Sequence, residues 1–206
     1  MSDREHMLKT YSTDELAREL ILRTDLFDGR HLKRTLYDLF VELGVVTCVD
    51  GIAVRKIDGK VELMTVVRNT GPFKGKLCSV GGRILLEESV ESALRRHFKT
   101  DIGSDIEMLT PWDRPVLFHQ FMRPKSDGTV LPDFGVEPQK RHAISIIYLV
   151  KLSDTPMEFG QTSSGGQEAS GVRWFSKDDL PEDGEFGYGQ EVYYKKCFEL
   201  AKSVYH

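Results

Sequence analysis

The 206-residue sequence predicts an α+β fold, and three observations carry the prediction. The run "VVTCVDGIAVRKIDGKVELMTVVRN" splits into two β-rich halves at Asp58-Gly59, a dipeptide that closes tight hairpins because both residues tolerate positive φ. The stretch "GGRILLEESVESALRRHFKTDIG" follows as a helical pattern bounded by glycines. Further on, "HAISIIYLVKLS" is apolar on both faces and predicts a strand covered on each side.

The remaining elements fall in order around these. Ser12 with Glu15 three residues later forms a capping-box pattern, and Leu16, Leu20 and Leu22 give that segment an incomplete apolar stripe, so a helix is expected. Leu32, Leu36, Leu39, Phe40 and Leu43 repeat at helical spacing up to Gly44 and predict a second, amphipathic helix. After the hairpin, "KLCSV" predicts a short strand and "PVLFHQFMRP" a longer one. The segment "KSDGTVLPDFGVEPQKR" reads as a long loop of the kind that serves as a lid. "VRWFS" predicts a late strand and "SKDDLP" a helical turn. Val192, Cys197, Leu200, Ala201 and Val204 are expected to line a terminal helix.

Composition narrows the function classes. With 40% hydrophobic and 29% charged residues and a net charge of -4, the chain is an ordinary globular sequence whose mild acidity disfavours broad capture of nucleic acid. Cys48, Cys78 and Cys197 are far apart and lack CxxC spacing, which points away from disulfides and zinc. No apolar run approaches the ~18 residues of a membrane span, and the first residues lack a signal-peptide core. A cytoplasmic protein with no nucleic-acid and no membrane partner is expected. The apolar stripe before Gly44 needs a covering surface, and we expect a homodimer in which it takes part.

The glycine pair Gly81-Gly82 lets backbone pass close to a ligand ahead of a helix. Glu87, Glu88 and Glu91 sit where the helix dipole favours carboxylates, so capping and solubility explain them without chemistry. His97 and Asp101, four residues apart, share one helical face and can reach a single ion or phosphate. His97 is equally well a packed or surface histidine.

The spacing then decides more than the composition. Five residues separate Gly82 from Glu88, seven separate Glu88 from Arg96, and Phe98 and Gly103 fall in register beyond it. This pattern resembles the Nudix hydrolase box, and the resemblance covers residues 45–206, leaving 1–44 as an N-terminal helical extension. It implies an α/β/α sandwich around a mixed β-sheet and a Mg²⁺- or Mn²⁺-dependent hydrolase of a nucleoside diphosphate derivative. His97, Thr100 and Asp101 stand where the box has three metal-facing glutamates, so one carboxylate survives. That loss is similar to the GDP-mannose mannosyl hydrolase branch, which cleaves nucleoside diphosphate sugars at the sugar carbon.

By that resemblance the metal ligands are the Gly81 carbonyl, Asp101 and either Glu168 or Gln167, and the substrate-binding residues are Asp50, Arg68 and Arg83. Catalytic roles go to Arg83 on the diphosphate and to a general base, for which Glu168, His119 and His142 are the candidates in that order. Trp112, Phe121 and Phe134 are candidate stacking surfaces for a base. Two rivals stand beside this reading: a pyrophosphatase acting on an ADP-ribose-like or other nucleoside diphosphate compound, with Glu87, Glu88 and Glu168 compensating for the missing box glutamates, and a Nudix-fold ligand-binding module without catalysis.

Overall fold

A computed structural model gives the architecture and describes residues 27–28, 31–32, 40, 44–71, 73–122, 135–136, 142–153, 158–159 and 168–204. The chain divides into two compact units: Met1–Phe40 with Leu85–Glu87, and Val41–Ile84 with Glu88–His206. In the first, β1 (Phe27–Asp28) pairs antiparallel with β2 (His31–Leu32). Leu32, expected to open the second helix, therefore lies in a strand. A stripe of leucines at helical intervals does not forbid a short strand at its first member. The helix expected from Ser12 falls outside the described residues, as does most of the one expected up to Gly44.

In the second unit the hairpin forms where Asp58-Gly59 predicts it. β3 (Val45–Ile57) and β4 (Lys60–Arg68) join through Asp58 at φ 50° and Gly59 at φ 79°. β3 changes partner along its length: Val54–Ile57 pair with β4, whereas Cys48–Gly51 pair with β6 (Val80–Arg83). On its other edge β3 runs parallel to β10 (His142–Leu152). β8 (Leu117–Met122) lies antiparallel beyond β10, and β11 (Ala169–Ser176) lies antiparallel beyond β4. The short strands β5 (Leu77–Cys78), β7 (Ile106–Met108) and β9 (Gly135–Val136) complete a mixed sheet with the order β11-β4-β3-β10-β8-β9. β9 falls inside the segment expected to be a loop; Gly135 and Val136 instead take up the free edge of β8, while most of that segment lies outside the described residues.

Helix α1 (Val90–Ile102) covers one face of the sheet. Ser89 caps it by accepting from the Ser92 N–H, and Gly103 ends it in the left-handed conformation, its N–H bonded to the Lys99 carbonyl. Leu94 and Phe98 of α1 sit so close over β3 that a Cβ on Gly51 would collide with the Phe98 ring. Side-chain alternation then sends Val49 and Ala53 toward α1 with Met64, Val66, Tyr148 and Val150.

Helix α2 (Glu191–Val204) covers the opposite face, where Tyr194 and Phe198 pack on Phe175 of β11. Its buried side is Tyr193, Tyr194, Cys197, Phe198 and Ala201; Leu200, expected inward, is exposed. The two tyrosines turn the helix because each hydroxyl finds a partner inside: Tyr193 meets Ser79 Oγ at 2.9 Å, and Tyr194 donates to the Met64 carbonyl at 3.1 Å. The resulting α+β layering is that of a mixed sheet between two helices, and no helix among the described residues is long and apolar enough to cross a membrane.

Candidate active site

The end of β4, the start of β11 and the last turn of α1 bring charged groups together. Arg68 closes β4, and its Nη2 meets Glu168 Oε1 at 3.0 Å just ahead of β11. Thr70 Oγ1 donates to the other oxygen of Glu168 at 3.1 Å, and the Asn69 N–H donates to the Glu168 carbonyl at 2.8 Å. The Glu168 carboxylate is thereby oriented from two sides. Arg68 is itself fixed, donating from Nε to the Thr70 carbonyl at 3.0 Å.

Asp101, in the last turn of α1, lies near enough to this pair to feel both charges. Burial is the main force lifting its carboxyl from 3.8 to about 7, and the negative charge of Glu168 adds to it, against the pull of Arg96 and Arg68. Thr100, the residue before Asp101, is exposed.

The glycine pair sets the floor. A Cβ at Gly81 would strike both the Asp50 carboxylate and the Val49 carbonyl, and one at Gly82 would come within 2.8 Å of the His97 ring. Backbone at these two positions thus lies directly against Asp50 on one side and His97 on the other. His97 Nε2 lies 3.2 Å from the Arg83 carbonyl, which leaves Nδ1 facing Asp101 Oδ2 at 3.9 Å. Burial and the neighbouring Arg96 charge lower the His97 pKa to about 4, so the ring is neutral near pH 7 and Nε2 carries the proton given to that carbonyl.

Arg96, the box arginine, donates to the same Arg83 carbonyl at 3.1 Å and grips Glu88 bidentately at 2.7 and 2.8 Å. The Glu88 side chain is only 3% exposed. This pair ties the loop before α1 to the helix, so Glu88 has a specific structural partner rather than the general capping role its position suggests.

Asp50 lies beneath the floor. It is buried, its Oδ2 accepts from Ser145 Oγ at 2.5 Å, and burial raises its pKa to about 6 against the help of Ser145, Ser79 and the Arg68 charge. Nothing about Ser145 in the apolar run "HAISIIYLV" marks it except that it is the single serine there, facing the only acidic residue of β3. Thr70 left no signal of that kind, because its role comes from loop geometry.

The two histidine candidates sit elsewhere in the sheet. His119 projects toward α2, wedged edge-on between Phe121 and Tyr193 at 4.8 and 5.0 Å. Its Nε2 is buried without a hydrogen-bond partner among the described residues, and burial with the Lys196 charge lowers its pKa to about 4. His142 opens β10 opposite Val45, with Gln120 Nε2 at 2.5 Å from its Nε2. Gln167 and Phe134 lie outside the described residues.

The sequence from 48 to 196 matches the NUDIX domain model. The chain belongs to the Nudix family. Nudix folds among solved structures agree with its architecture. A possible asymmetric diadenosine tetraphosphate hydrolase from Jonesia denitrificans aligns with a TM-score of 0.62 at 20% identity, covering 80% of this chain and 99% of that one. A Nudix-family hydrolase from Clostridium perfringens aligns at 0.52 with 17% identity, covering 77% and 99%. A diadenosine tetraphosphate hydrolase from C. elegans aligns at 0.52 with 15% identity, again covering 77% and 99%. No curated protein matches the sequence.

The donor set of this Nudix site suits a hard divalent cation sparingly. Glu168 stands close enough to raise the proton affinity of Asp101, a repulsion between carboxylates that a cation between them would relieve. Among the described residues no three of His, Cys, Asp and Glu converge as a metal cluster. Two carboxylates with water and substrate phosphate oxygens are the common Mg²⁺ arrangement, so the residues present fit a substrate-completed site.

Proposed function

We propose that the protein hydrolyses a nucleoside diphosphate derivative, with a nucleoside diphosphate sugar as the first substrate class to test. The observation that supports this reading best is the meeting of Arg68, Glu168 and Asp101 at one end of the sheet: a fixed guanidinium beside two carboxylates. Arg68 and Arg83 are assigned to the diphosphate, where a planar guanidinium matches phosphate oxygens in pairs.

Asp101 and Glu168 are the residues assigned to hold Mg²⁺ or Mn²⁺, with the Gly81 carbonyl and Gln167 as further donors. The cation when bound would offset charge developing on the leaving diphosphate. Among the candidate bases Glu168 has the support of position. Its two oxygens each spend one lone pair, on Arg68 and on Thr70, leaving capacity to accept a proton from water. Buried Asp50, under Gly81, supports the floor of the substrate site.

A second reading, attack at phosphorus on an ADP-ribose-like or dinucleotide polyphosphate compound, draws support from the two solved neighbours described as diadenosine tetraphosphate hydrolases. Products separate the readings. Incubation with Mg²⁺ or Mn²⁺ and GDP-mannose, UDP-glucose, ADP-ribose or diadenosine tetraphosphate is followed by mass spectrometry. Free sugar plus nucleoside diphosphate supports attack at carbon, and sugar phosphate plus nucleoside monophosphate supports attack at phosphorus. Either activity should vanish in Glu168→Gln. Absence of turnover and of metal binding across the panel would move the assignment to a ligand-binding module.

A further inference from the structure

The strand that carries the glycine pair changes partner just before reaching it. Leu77 and Cys78 pair with β4, Val80–Arg83 pair with β3, and Ser79 between them belongs to neither ladder. Ser79 is buried, so its N–H is a donor that the sheet leaves to be satisfied from elsewhere. The partner comes from the start of the terminal helix. Gln190 Oε1 accepts from the Ser79 N–H at 2.8 Å, and Gln190 Nε2 donates to Ser79 Oγ at 3.1 Å. The Tyr193 hydroxyl meets the same Oγ at 2.9 Å.

Gln190 is buried and fixed in its turn. Its carbonyl accepts from the N–H groups of Tyr193 and Tyr194, both at 3.1 Å, which makes it the residue on which α2 starts. The segment leading to it runs beside the same strand: the Leu77 N–H donates to the Glu185 carbonyl at 3.0 Å, and the Gly187 N–H donates to the Leu77 carbonyl at 2.8 Å. Main chain thus holds Leu77, and a side chain 111 residues away holds Ser79.

A buried polar contact that must satisfy every member is a demanding choice where apolar packing would serve, and what it supplies is a single alignment. Alignment matters two residues further on. Gly81 stands opposite Asp50, where a Cβ would strike the Asp50 carboxylate and the Val49 carbonyl. Gly81 and Gly82 fit that narrow place because they lack side chains, and for the same reason they have no packing of their own to hold them there. Their anchor has to be a neighbour, and Ser79 is the neighbour that α2 grips.

We infer that Gln190 is a positioning residue, which acts through Ser79 to fix the glycine pair on β3 and so sets where the Gly81 carbonyl stands in the site. The inference deepens the hydrolase reading and rests on it for the role of Gly81.

The test uses the full chain. In the wild type, hydrogen exchange followed by NMR should find the Ser79 amide as protected as the buried amides of α2, because it must wait for the helix to open. Gln190→Met keeps the length of the side chain and removes both hydrogen-bonding groups. It should speed Ser79 exchange about 10-fold and move the Gly81 and Gly82 amide resonances. Mn²⁺ binding, read by calorimetry, should weaken on the order of 10-fold, as when a group that orients a metal donor is disturbed. Tyr193→Phe is the control: it removes a buried hydroxyl from the same cluster but leaves the Ser79 N–H held, so the glycine resonances and the Mn²⁺ affinity should stay. A wild-type Ser79 amide that exchanges freely, or glycine resonances that do not move in Gln190→Met, overturns the inference and leaves the hydrolase reading standing. Equal Mn²⁺ affinity in wild type and Gln190→Met, or an equal loss in Tyr193→Phe, overturns the positioning role as well. A wild type that binds no Mn²⁺ overturns the metal-dependent hydrolase reading, and the exchange and resonance measurements then decide by themselves whether Gln190 fixes the strand.

Discussion

Replacing Asp101 with asparagine should make this protein more stable at neutral pH, by an amount that depends on pH in a defined way. The folded carboxyl holds its proton up to about 7, whereas the unfolded one releases it near 3.8. Between those values the folded state binds more protons than the unfolded state, so stability falls as pH rises through the window and the loss is complete above about 7. The separation of about three pH units, at 1.36 kcal/mol each, amounts to ~4 kcal/mol at pH 8. The amide introduced by Asp101→Asn resembles the protonated carboxyl and escapes that cost, which should raise Tm by about 10 °C in a chain of this size.

Urea denaturation of both proteins from pH 4 to pH 8 measures the difference directly. Asp50, lifted to about 6 by burial, tilts both curves in the same sense and cancels in the subtraction. A stability difference that stays constant across the range, or an asparagine variant that is the less stable at pH 8, would refute the reasoning. The same proteins report on the metal: Mn²⁺ should stabilise the wild type at pH 8 and have little effect on the variant.

Three further outcomes are expected. Arg96→Ala takes the guanidinium away from the Glu88 carboxyl at a 3%-exposed position and should cost about 3–5 kcal/mol in chemical denaturation, most of it recovered when Glu88 is also made Gln. Gly82→Ala puts a methyl carbon 2.8 Å from the His97 ring and should displace the imidazole from the Arg83 carbonyl, visible as a shifted histidine resonance, at about 1–3 kcal/mol. Ser145→Ala removes a donor that stabilises ionised Asp50, so its pKa should climb above about 6. The stability cost, about 1–3 kcal/mol at pH 8, should shrink at pH 5, where Asp50 is protonated in the folded protein.

The parts of this protein that are legible in its sequence are those set by short-range chemistry. Asp58-Gly59 announces its own hairpin because the two positive φ angles belong to the dipeptide, and Gly103 ends α1 for the same local reason. The spacing from Gly82 to Gly103 locates the family because it encodes a strand, a turn and a helix at one fixed length. Leu32 misleads because leucines at helical intervals do not prevent a two-residue strand at the first of them. On α2 Cys197 and Ala201 are buried as the apolar stripe predicts, but Tyr193 and Tyr194 join them and Leu200 is left exposed, since the interior supplies hydroxyl partners that no helical wheel contains. His119 and His142 stand beside Glu168 as candidate bases in the sequence, yet only Glu168 is oriented beside Arg68. That distinction arises from contacts across about a hundred residues of chain, such as Thr70 with Glu168.

Gly51 gives the last consequence. It carries no side chain, and the Phe98 ring occupies the space where one would be. Phe98 lies one turn before Asp101 on the same helix, so the missing methyl works as a gauge block: the gap it leaves sets how closely the turn carrying Asp101 lies on the sheet. The tolerance of the candidate reaction is thus set by an atom the protein lacks, and variation at a remote, chemically silent position would detune the site without touching any residue in it.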